Sequence, residues 1–312
     1  MNANLFERYA KYIWPLHRRA LTLPKRCGKC ILLINEEKEL CPECEQYSLG
    51  LGMKQNPKGN YGDPPPHTET DEEFVLLLSG GKDSAVLLDK FRRDYPSARV
   101  QALLVNTGFM SPAAIKNAMI VSGRTNTDLV IMNELIPEFK ERLSTAFRSL
   151  KGGGKGAYGV VDFAEGRLIY EAGFRFAGKK RIISGLTHAQ LDHIETGKTE
   201  NMLFPLVWWG MSETEIRRTA ARVLGVKEVN PLQTNSLLIP VMMTADMLNL
   251  GYSSFEPEFA QLIREGKADR TTWLHQFELF KWLAEQGYLE KTFRDSLQQL
   301  NLRPEDVLCM PM

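Results

Sequence analysis

The sequence lacks the features that mark membrane-spanning and secreted proteins. No stretch approaches the run of about 18 apolar residues that a membrane-crossing helix needs. The first residues, MNANLFERYAKYIWPLHRR, lack the order of basic, apolar and then small residues that a signal peptide has. We therefore expect a cytoplasmic protein without membrane insertion.

The sequence also carries almost no net charge. Its 39 Lys and Arg residues are balanced by 38 Asp and Glu residues, which leaves a formal charge of +1 at pH 7. This balance disfavours a protein that coats a polyanion or binds tRNA over a large surface. The net charge of the whole chain does not reveal a local basic patch. The length of 312 residues is enough for one large domain with appendages or for two domains.

Cysteine is scarce, and most of it is clustered. Of the 5 cysteines, four form the pairs Cys27-Gly-Lys-Cys30 and Cys41-Pro-Glu-Cys44, which are ten residues apart. In a reducing compartment such a cluster indicates a metal rather than disulfides. Paired CxxC elements suit tetrahedral Zn²⁺, and four thiolates leave no open position for chemistry, so we expect a structural zinc site. An iron site or a pair of disulfides is the alternative.

Composition divides the chain into five segments. The predicted segments are an N-terminal helical segment (1–25), a cysteine module (26–50), a Gly- and Pro-rich linker (51–70), a main domain (71–232) and a helical C-terminal region (233–312). Six apolar residues of the first segment lie at roughly helical spacing and predict the apolar face of a short helix that is broken at Pro15: Leu5, Tyr9, Tyr12, Ile13, Leu16 and Leu21. In the last segment, the apolar residues around Phe277 predict either core or the face of a homodimer.

The main domain alternates between apolar runs and helical patterns. Strands are predicted at 74–78, 99–105, 128–132 and 181–184. Helices are predicted at 83–94, from Ser111-Pro112 to about 123, at 137–150 and 162–177, and from the capping box at Ser212 to Gly225. This alternation predicts an α/β, Rossmann-like fold, in which helices cover both faces of a parallel sheet. Ligands should bind beyond the carboxyl ends of its strands.

The stretch FVLLLSGGKDS, residues 74–84, is the clearest functional signal. Its apolar strand is followed, just before a helical pattern begins, by Ser79, Gly80, Gly81, Lys82, Asp83 and Ser84. Glycines permit close backbone approach and a helix N-terminus favours negative charge, so this turn predicts an anion-binding loop. Lys82 adds a positive charge, and Asp83 is placed to hold Mg²⁺ against phosphate oxygens. The spacing fits neither a Walker loop nor a dinucleotide fingerprint.

SGGKDS after an apolar strand resembles the PP-loop of the N-type ATP pyrophosphatases, whose fold is adenine nucleotide alpha hydrolase-like. The resemblance implies an enzyme that cleaves ATP to AMP and pyrophosphate while it adenylates an oxygen of a substrate. It also implies that the phosphates of ATP lie on residues 79–84, with Lys82 and Asp83 in catalytic roles.

The same resemblance implies two further sets of nucleotide-binding residues. The set that borders the adenine and ribose follows the second strand and comprises Asn106, Thr107 and Gly108. The set beside the α-phosphate follows the fourth strand and comprises Ser184 and Gly185. His188 lies just beyond, and it is either a structural histidine or a catalytic one that contacts phosphate or orients the acceptor.

The run TGFMSPAAIKNA, the paired CxxC module and the chain length resemble the N-acetyl sugar amidotransferases of bacterial surface-polysaccharide pathways. This resemblance implies that the acetamido oxygen of a small acceptor, a nucleotide sugar, is adenylated and then displaced by ammonia. The ammonia would come from a separate glutaminase subunit, because the chain has no glutaminase signature of its own.

Two other functions stay open. The tRNA thiolases of the same superfamily replace a base oxygen with sulfur, which requires catalytic cysteines or an iron–sulfur cluster. No cysteine lies between Cys44 and Cys309, which counts against thiolation unless Cys309 carries a persulfide over the site. The third possibility is a nucleotide-binding module without catalysis, which the intact SGGKDS argues against.

Overall fold

The computed structural model describes residues 8–49, 72–191, 201–229 and 234–309. The predicted linker, residues 51–70, lies outside these described ranges. The chain forms two compact units, each assembled from separate stretches. The sheet unit comprises Asn56–Leu143 and Ala164–Leu237. The helical unit comprises Met1–Gln55, Ser144–Phe163 and Leu238–Met312.

Five parallel strands form the centre of the sheet unit. They are β1 (Glu73–Leu77), β2 (Arg99–Val105), β3 (Leu129–Met132), β4 (Arg181–Ile183) and β5 (Met202–Leu203). Their order in the sheet is β3-β2-β1-β4-β5, and Leu76 of β1 pairs with Ala102 of β2 on one side and with Ile183 of β4 on the other. The chain therefore winds outward in both directions from β1 and β4. In doubly wound sheets this switch point, at the carboxyl ends of the strands, is where ligands bind.

Thirteen α-helices accompany the strands in the described part of the chain. They are α1 (Trp14–His17), α2 (Pro42–Ser48), α3 (Lys82–Asp94), α4 (Pro112–Arg124), α5 (Ile136–Arg148), α6 (Phe163–Ala177), α7 (His188–Leu191), α8 (Pro205–Trp208), α9 (Glu213–Leu224), α10 (Leu238–Leu250), α11 (Glu256–Arg264), α12 (Arg270–Glu285) and α13 (Glu290–Gln299). Shorter turns are π-helical at Tyr9–Ile13 and Tyr158–Asp162, and 3₁₀ at Arg18–Ala20, Ser149–Gly152 and Pro304–Asp306.

The helix boundaries predicted from capping residues are confirmed. The Ser111 side chain accepts a hydrogen bond from the Ala114 N–H at the start of α4. At α9 the capping box of Ser212 and Glu215 is complete, and Gly225 ends the helix in the left-handed conformation, with φ of 73°. Short side chains that hydrogen-bond the free N–H groups set these starts locally, so the sequence alone is enough to locate them.

Helices cover both faces of the sheet, as predicted. Leu76 of β1 lies in one buried cluster with Leu87 of α3 and Val121 of α4. Leu77, the next residue, points to the opposite face, where Gly173 of α6 approaches so closely that a Cβ on it would lie 3.0 Å from Leu77 Cδ2. The predicted α/β, Rossmann-like class is confirmed.

The helical unit contains the predicted helical C-terminal region, helices α10 to α13. At its N-terminus the predicted apolar face is right in part: Tyr9 and Leu21 pack against a buried cluster, whereas Tyr12 and Leu16 are 64% and 65% exposed. Leu5 lies outside the described residues. The buried residue is Trp14, which clusters with Leu279 and Leu283 of α12. The turn before Trp14 is π-helical, so the spacing of an ordinary α-helix does not identify the inward side chains. Pro15 does not break the helix: helical backbone continues from Tyr9 to Ala20, and Pro15 lies where the turns change from π-helical to α-helical.

Among the residues that the structure describes, none of the helices combines the length and the apolar character needed to span a bilayer.

Candidate nucleotide site and cysteine centre

The loop that follows β1 has its conformation set by α4. Gly80 has a φ of +70°, and a Cβ on it would lie 1.9 Å from the carbonyl oxygen of Ala114. Asn117, also on α4, donates a hydrogen bond from Nδ2 to the carbonyl oxygen of Gly80 over 3.1 Å. Only glycine fits this position, because any side chain would meet both a strained backbone and a carbonyl group. The first glycine of SGGKDS is therefore there for close packing of the loop on α4.

The loop ends in the N-terminus of α3. Gly81 is the N-cap residue, and no side chain caps it. The hydroxyl of Ser84 donates to the Gly81 carbonyl over 3.2 Å, and it lies 3.1 Å from the hydroxyl of Ser79. The first N–H groups of an α-helix lack intrahelical partners, and together with the helix dipole they attract anions. This end of α3 has the form of a phosphate-binding site.

Lys82 and Asp83 form an ion pair at this helix end. The Nζ of Lys82 lies 2.7 and 3.0 Å from the two carboxylate oxygens of Asp83. Their side chains are 26% and 29% exposed, so both can reach a bound ligand. Asp83 supplies one carboxylate, which is the kind of protein ligand that Mg²⁺ combines with phosphate oxygens. The donor set therefore fits the magnesium role predicted for Asp83.

At the end of β2, the predicted nucleotide residues hydrogen-bond one another. Asn106 accepts a hydrogen bond on Oδ1 from the Gly108 N–H over 2.9 Å and donates from Nδ2 to Oδ1 of Asn133 over 2.7 Å. Thr107 is buried, and its Oγ1 accepts from the Phe109 N–H over 3.3 Å. Gly108 has a φ of +83°, which a side chain would strain. The side chains of Asn106 and Thr107 thus hold the conformation of this turn. The backbone groups of the turn are the ones left to hydrogen-bond a base.

The end of β4 lies against the loop. A Cβ on Gly185 would be 3.4 Å from the backbone nitrogen of Ser84. The hydroxyl of Ser184 is buried and shares a 2.8 Å hydrogen bond with that of Tyr170 on α6. The structure therefore brings Gly185 and the loop together, as expected at a switch point. The side chain of His188 lies outside the described part of the structure, so its role stays a prediction.

Glu165, on α6, is a site residue that sequence reasoning missed. It is 6% exposed, and it accepts a hydrogen bond on Oε2 from the Ser236 hydroxyl over 3.4 Å. Burial raises the pKa of its carboxyl, although hydrogen bonds to the side chains of Thr107 and Ser236 lower it in part. A glutamate within a helical pattern gives no signal of such burial.

Asn235 is a second residue that was missed. Its Cβ and Cγ are each 3.7 Å from the position of a Cβ on Gly81. The polar run Thr234, Asn235 and Ser236 between apolar stretches was the one local signal, but its contacts are with distant parts of the chain.

The four clustered cysteines converge in the helical unit. Their Sγ atoms all lie within 4.8 Å of one another, and all four residues are buried. The N–H of Cys41 donates to Sγ of Cys27 over 3.3 Å, and α2 begins directly after Cys41 and carries Cys44. Four zinc–sulfur bonds of about 2.3 Å in a tetrahedron place sulfur atoms about 3.8 Å apart, so the set fits one metal ion. An antiparallel bridge between Arg26 and Leu33 closes the turn that carries Cys27 and Cys30.

The acid–base properties of these thiols agree with a cation site. Burial raises the pKa of Cys30 and Cys41 to about 12 and that of Cys44 to about 11. Burial also acts to raise the pKa of Cys27, but hydrogen bonds from backbone N–H groups outweigh it and lower the value to about 7. Four thiolates can coexist here only when a cation offsets their charge.

Arg270 of α12 supports the first cysteine pair. It donates from Nε to the carbonyl oxygen of Cys30 over 2.8 Å and from Nη2 to that of Cys27 over 2.7 Å. This arginine lies far from the cysteines in the sequence, where nothing marks it as part of the site. Its two hydrogen bonds orient the backbone around both cysteines of the pair.

Comparison with known proteins finds only distant structural similarities. No family model and no curated protein matches this chain. The U34-tRNA thiolase NcsA from Methanococcus maripaludis, solved with its [4Fe-4S] cluster, is 15% identical with a TM-score of 0.40, over 87% of this chain and 89% of that one. The NH3-dependent NAD synthetase from Campylobacter jejuni is 15% identical with a TM-score of 0.35, over 70% of this chain and 88% of that one.

A third solved structure, NAD+ synthetase from Burkholderia pseudomallei, is 17% identical with a TM-score of 0.33, over 67% of this chain and 81% of that one. At such low identity and TM-score, none of the three transfers an activity or a residue role.

Proposed function

We propose that the chain is a PP-loop ATP pyrophosphatase, an enzyme that transfers AMP from ATP to an oxygen of an acceptor and releases pyrophosphate. The observation that carries this proposal is the position of SGGKDS at the carboxyl end of β1, beside β4, where the chain winding reverses. There the close-packed Gly80, the N-terminus of α3 and the Lys82–Asp83 pair lie on one loop.

The loop supplies what phosphoryl chemistry needs most, which is positioning and charge. The acceptor oxygen attacks the α-phosphorus, the bond to the bridging oxygen breaks, and pyrophosphate leaves with the electron pair. Lys82 and the N–H groups at the start of α3 hold the pyrophosphate, and Gly185 lets the α-phosphate approach the backbone. Magnesium bound at Asp83 would supply further neutralisation of the leaving group. An amide or carboxylate oxygen is nucleophilic enough that no strong general base is required.

The proposed acceptor is the acetamido group of a nucleotide sugar. Once its oxygen carries AMP, ammonia attacks the acetamido carbon, the carbon–oxygen bond to AMP breaks, and loss of a proton leaves an amidine. A separate glutaminase would supply the ammonia. One feature of the sequence supports nitrogen over sulfur: the sheet unit contains no cysteine, so it has no thiol of its own to carry sulfur.

The second candidate is a sulfurtransferase that thiolates a tRNA base or a small molecule through the same adenylated intermediate. The four buried thiols favour it in one respect, because a set of four cysteines also suits an iron–sulfur cluster. We nevertheless propose that the metal is zinc with a structural role, since all four thiols are available to one tetrahedral ion.

The two reactions differ in the atom that displaces AMP, and this difference tests the proposal. Purified protein is incubated with ATP, Mg²⁺ and either an N-acetyl nucleotide sugar or unmodified tRNA, each with ammonium or with sulfide. We expect turnover with the sugar and ammonium, because a high ammonium concentration replaces the glutaminase. Turnover on tRNA that requires sulfide and does not change when ammonium is added would establish the second candidate instead.

A further inference from the structure

The segment that carries Asn235 forms a short antiparallel pairing with the residues that follow β2. The Ser111 N–H donates to the carbonyl oxygen of Asn235 over 2.9 Å, and the Leu237 N–H donates to that of Phe109 over 2.7 Å. Between them, Met110 and Ser236 form a bridge. The backbone of Asn235 is therefore fixed relative to the sheet unit.

The side chains of Ser236 and Asn235 have different neighbours. Ser236 is buried and donates to Glu165. The Cβ and Cγ of Asn235 lie beside Gly81, the N-cap of α3. The Asn235 side chain is thus next to the N–H groups that we propose hold phosphate.

The amide of Asn235 is free to bind a ligand. It is only partly buried, and among the described residues no partner hydrogen-bonds its side chain. It does not cap α3 either, since that helix end has no side-chain cap. A carboxamide has two N–H donors, which suit phosphate oxygens, and it adds no charge that would compete with Lys82.

We propose that Asn235 is a ligand of the pyrophosphate portion of ATP, donating from Nδ2 to a phosphate oxygen seated at the N-terminus of α3. This inference rests on the proposed function. It assigns a direct substrate contact to a residue outside the SGGKDS loop. ATP binding at the loop then depends on the position of the 234–237 segment.

Two variants separate ligand binding from packing. Asn235→Leu keeps the branched shape of the side chain beside Gly81, with slightly more bulk, but removes both donors. Asn235→Asp keeps the shape and places a carboxylate where the phosphate would lie. Leu237→Ala, a change at an exposed residue of the same segment, is the control. Binding of inorganic pyrophosphate, ATP and AMP is measured by calorimetry on the full chain, with thermal unfolding as a check of the fold.

We expect Asn235→Leu to lower the affinity for pyrophosphate and ATP about tenfold, as for loss of one hydrogen bond to a charged group. Asn235→Asp should lower both affinities further. AMP affinity should change by less than about twofold, and Leu237→Ala should bind like the wild type. Folded variants that bind pyrophosphate as the wild type does would overturn the inference while leaving the proposed function intact. Unfolding of both Asn235 variants would make the residue structural and also overturn it. A wild-type protein that binds neither ATP nor pyrophosphate would overturn both.

Discussion

Nζ of Lys82 lies 2.7 Å from Oδ2 of Asp83, so the cation and the carboxylate of the loop neutralise each other. For both to act on ATP, a phosphate oxygen must replace the carboxylate at Lys82, and a metal ion must replace the ammonium at Asp83. Nucleotide and Mg²⁺ should therefore bind in a coupled way.

Lys82→Ala should weaken the binding of ATP more than that of AMP, because the proposed function places the Lys82 charge beside the leaving pyrophosphate. The expected loss for ATP is about tenfold or more, as for a charged hydrogen bond. Lys90→Ala is the matched control, since Lys90 lies on the same helix and also forms an ion pair, with Asp94 at 2.8 Å. Titration calorimetry with both nucleotides gives the comparison. Equal losses for ATP and AMP would mean that Lys82 does not face the pyrophosphate.

Gly80→Ala should destabilise the sheet unit by more than the strain of a side chain in the left-handed backbone conformation would cost. The new Cβ would have to displace the Ala114 carbonyl, which would lie 1.9 Å away. Gly178→Ala is the control, because Gly178 has a φ of +60° but no atom within 4 Å of its Cβ position. We expect the control to lose about 1–2 kcal/mol in free energy of unfolding, and Gly80→Ala to lose more. Urea unfolding measures both. Similar losses would show that the contact with α4 relaxes at little cost.

Glu165→Gln should change the pH dependence of stability. The pKa of Glu165 is raised in the folded protein, so the folded state holds a proton that the unfolded chain releases near its ordinary value of about 4.3. The contribution of Glu165 to stability is therefore fully present below that value, and it is lost as pH rises through the folded pKa.

Glutamine mimics the neutral acid at every pH, so the variant should gain stability relative to the wild type as pH rises through this window. Glu134→Gln, at an exposed position, should follow the wild type throughout. Thermal unfolding across the pH series provides the data. A constant difference between Glu165→Gln and the wild type would show that the carboxyl does not titrate in this range.

Much of the sheet unit could be predicted because its signals are local. Apolar runs locate four of its strands, and Ser111 and Ser212 locate helix starts through hydrogen bonds that reach only three residues. β5 was missed because Met202–Leu203 is too short to show a pattern. Asn235 and Glu165 were missed because their site contacts join residues far apart in sequence. Trp14 was missed because a π-helical turn precedes it, which sequence periodicity does not reveal.

Cys27→Ser should remove the metal and lower the melting temperature. The four Sγ atoms lie within 4.8 Å of one another, and loss of one leaves three thiols around a site built for four. Cys309→Ser is the control, since Cys309 is exposed and lies outside the cluster. Elemental analysis should find one zinc per chain in the wild type and in Cys309→Ser. Iron with visible absorbance in place of zinc would favour the sulfurtransferase, and freshly purified protein without any metal would contradict the site.

The products of ATP turnover test the central claim most directly. Protein, ATP, Mg²⁺ and the N-acetyl nucleotide sugar are incubated with ammonium, and the nucleotides and phosphates are separated by chromatography. We predict AMP and pyrophosphate, formed only when the acceptor is present. Asp83→Asn should remain folded but turn over about 10²–10³ times more slowly, because it loses the carboxylate charge while keeping the shape. The account would be contradicted by ADP and phosphate as products, or by a rate of AMP formation that Asp83→Asn leaves unchanged.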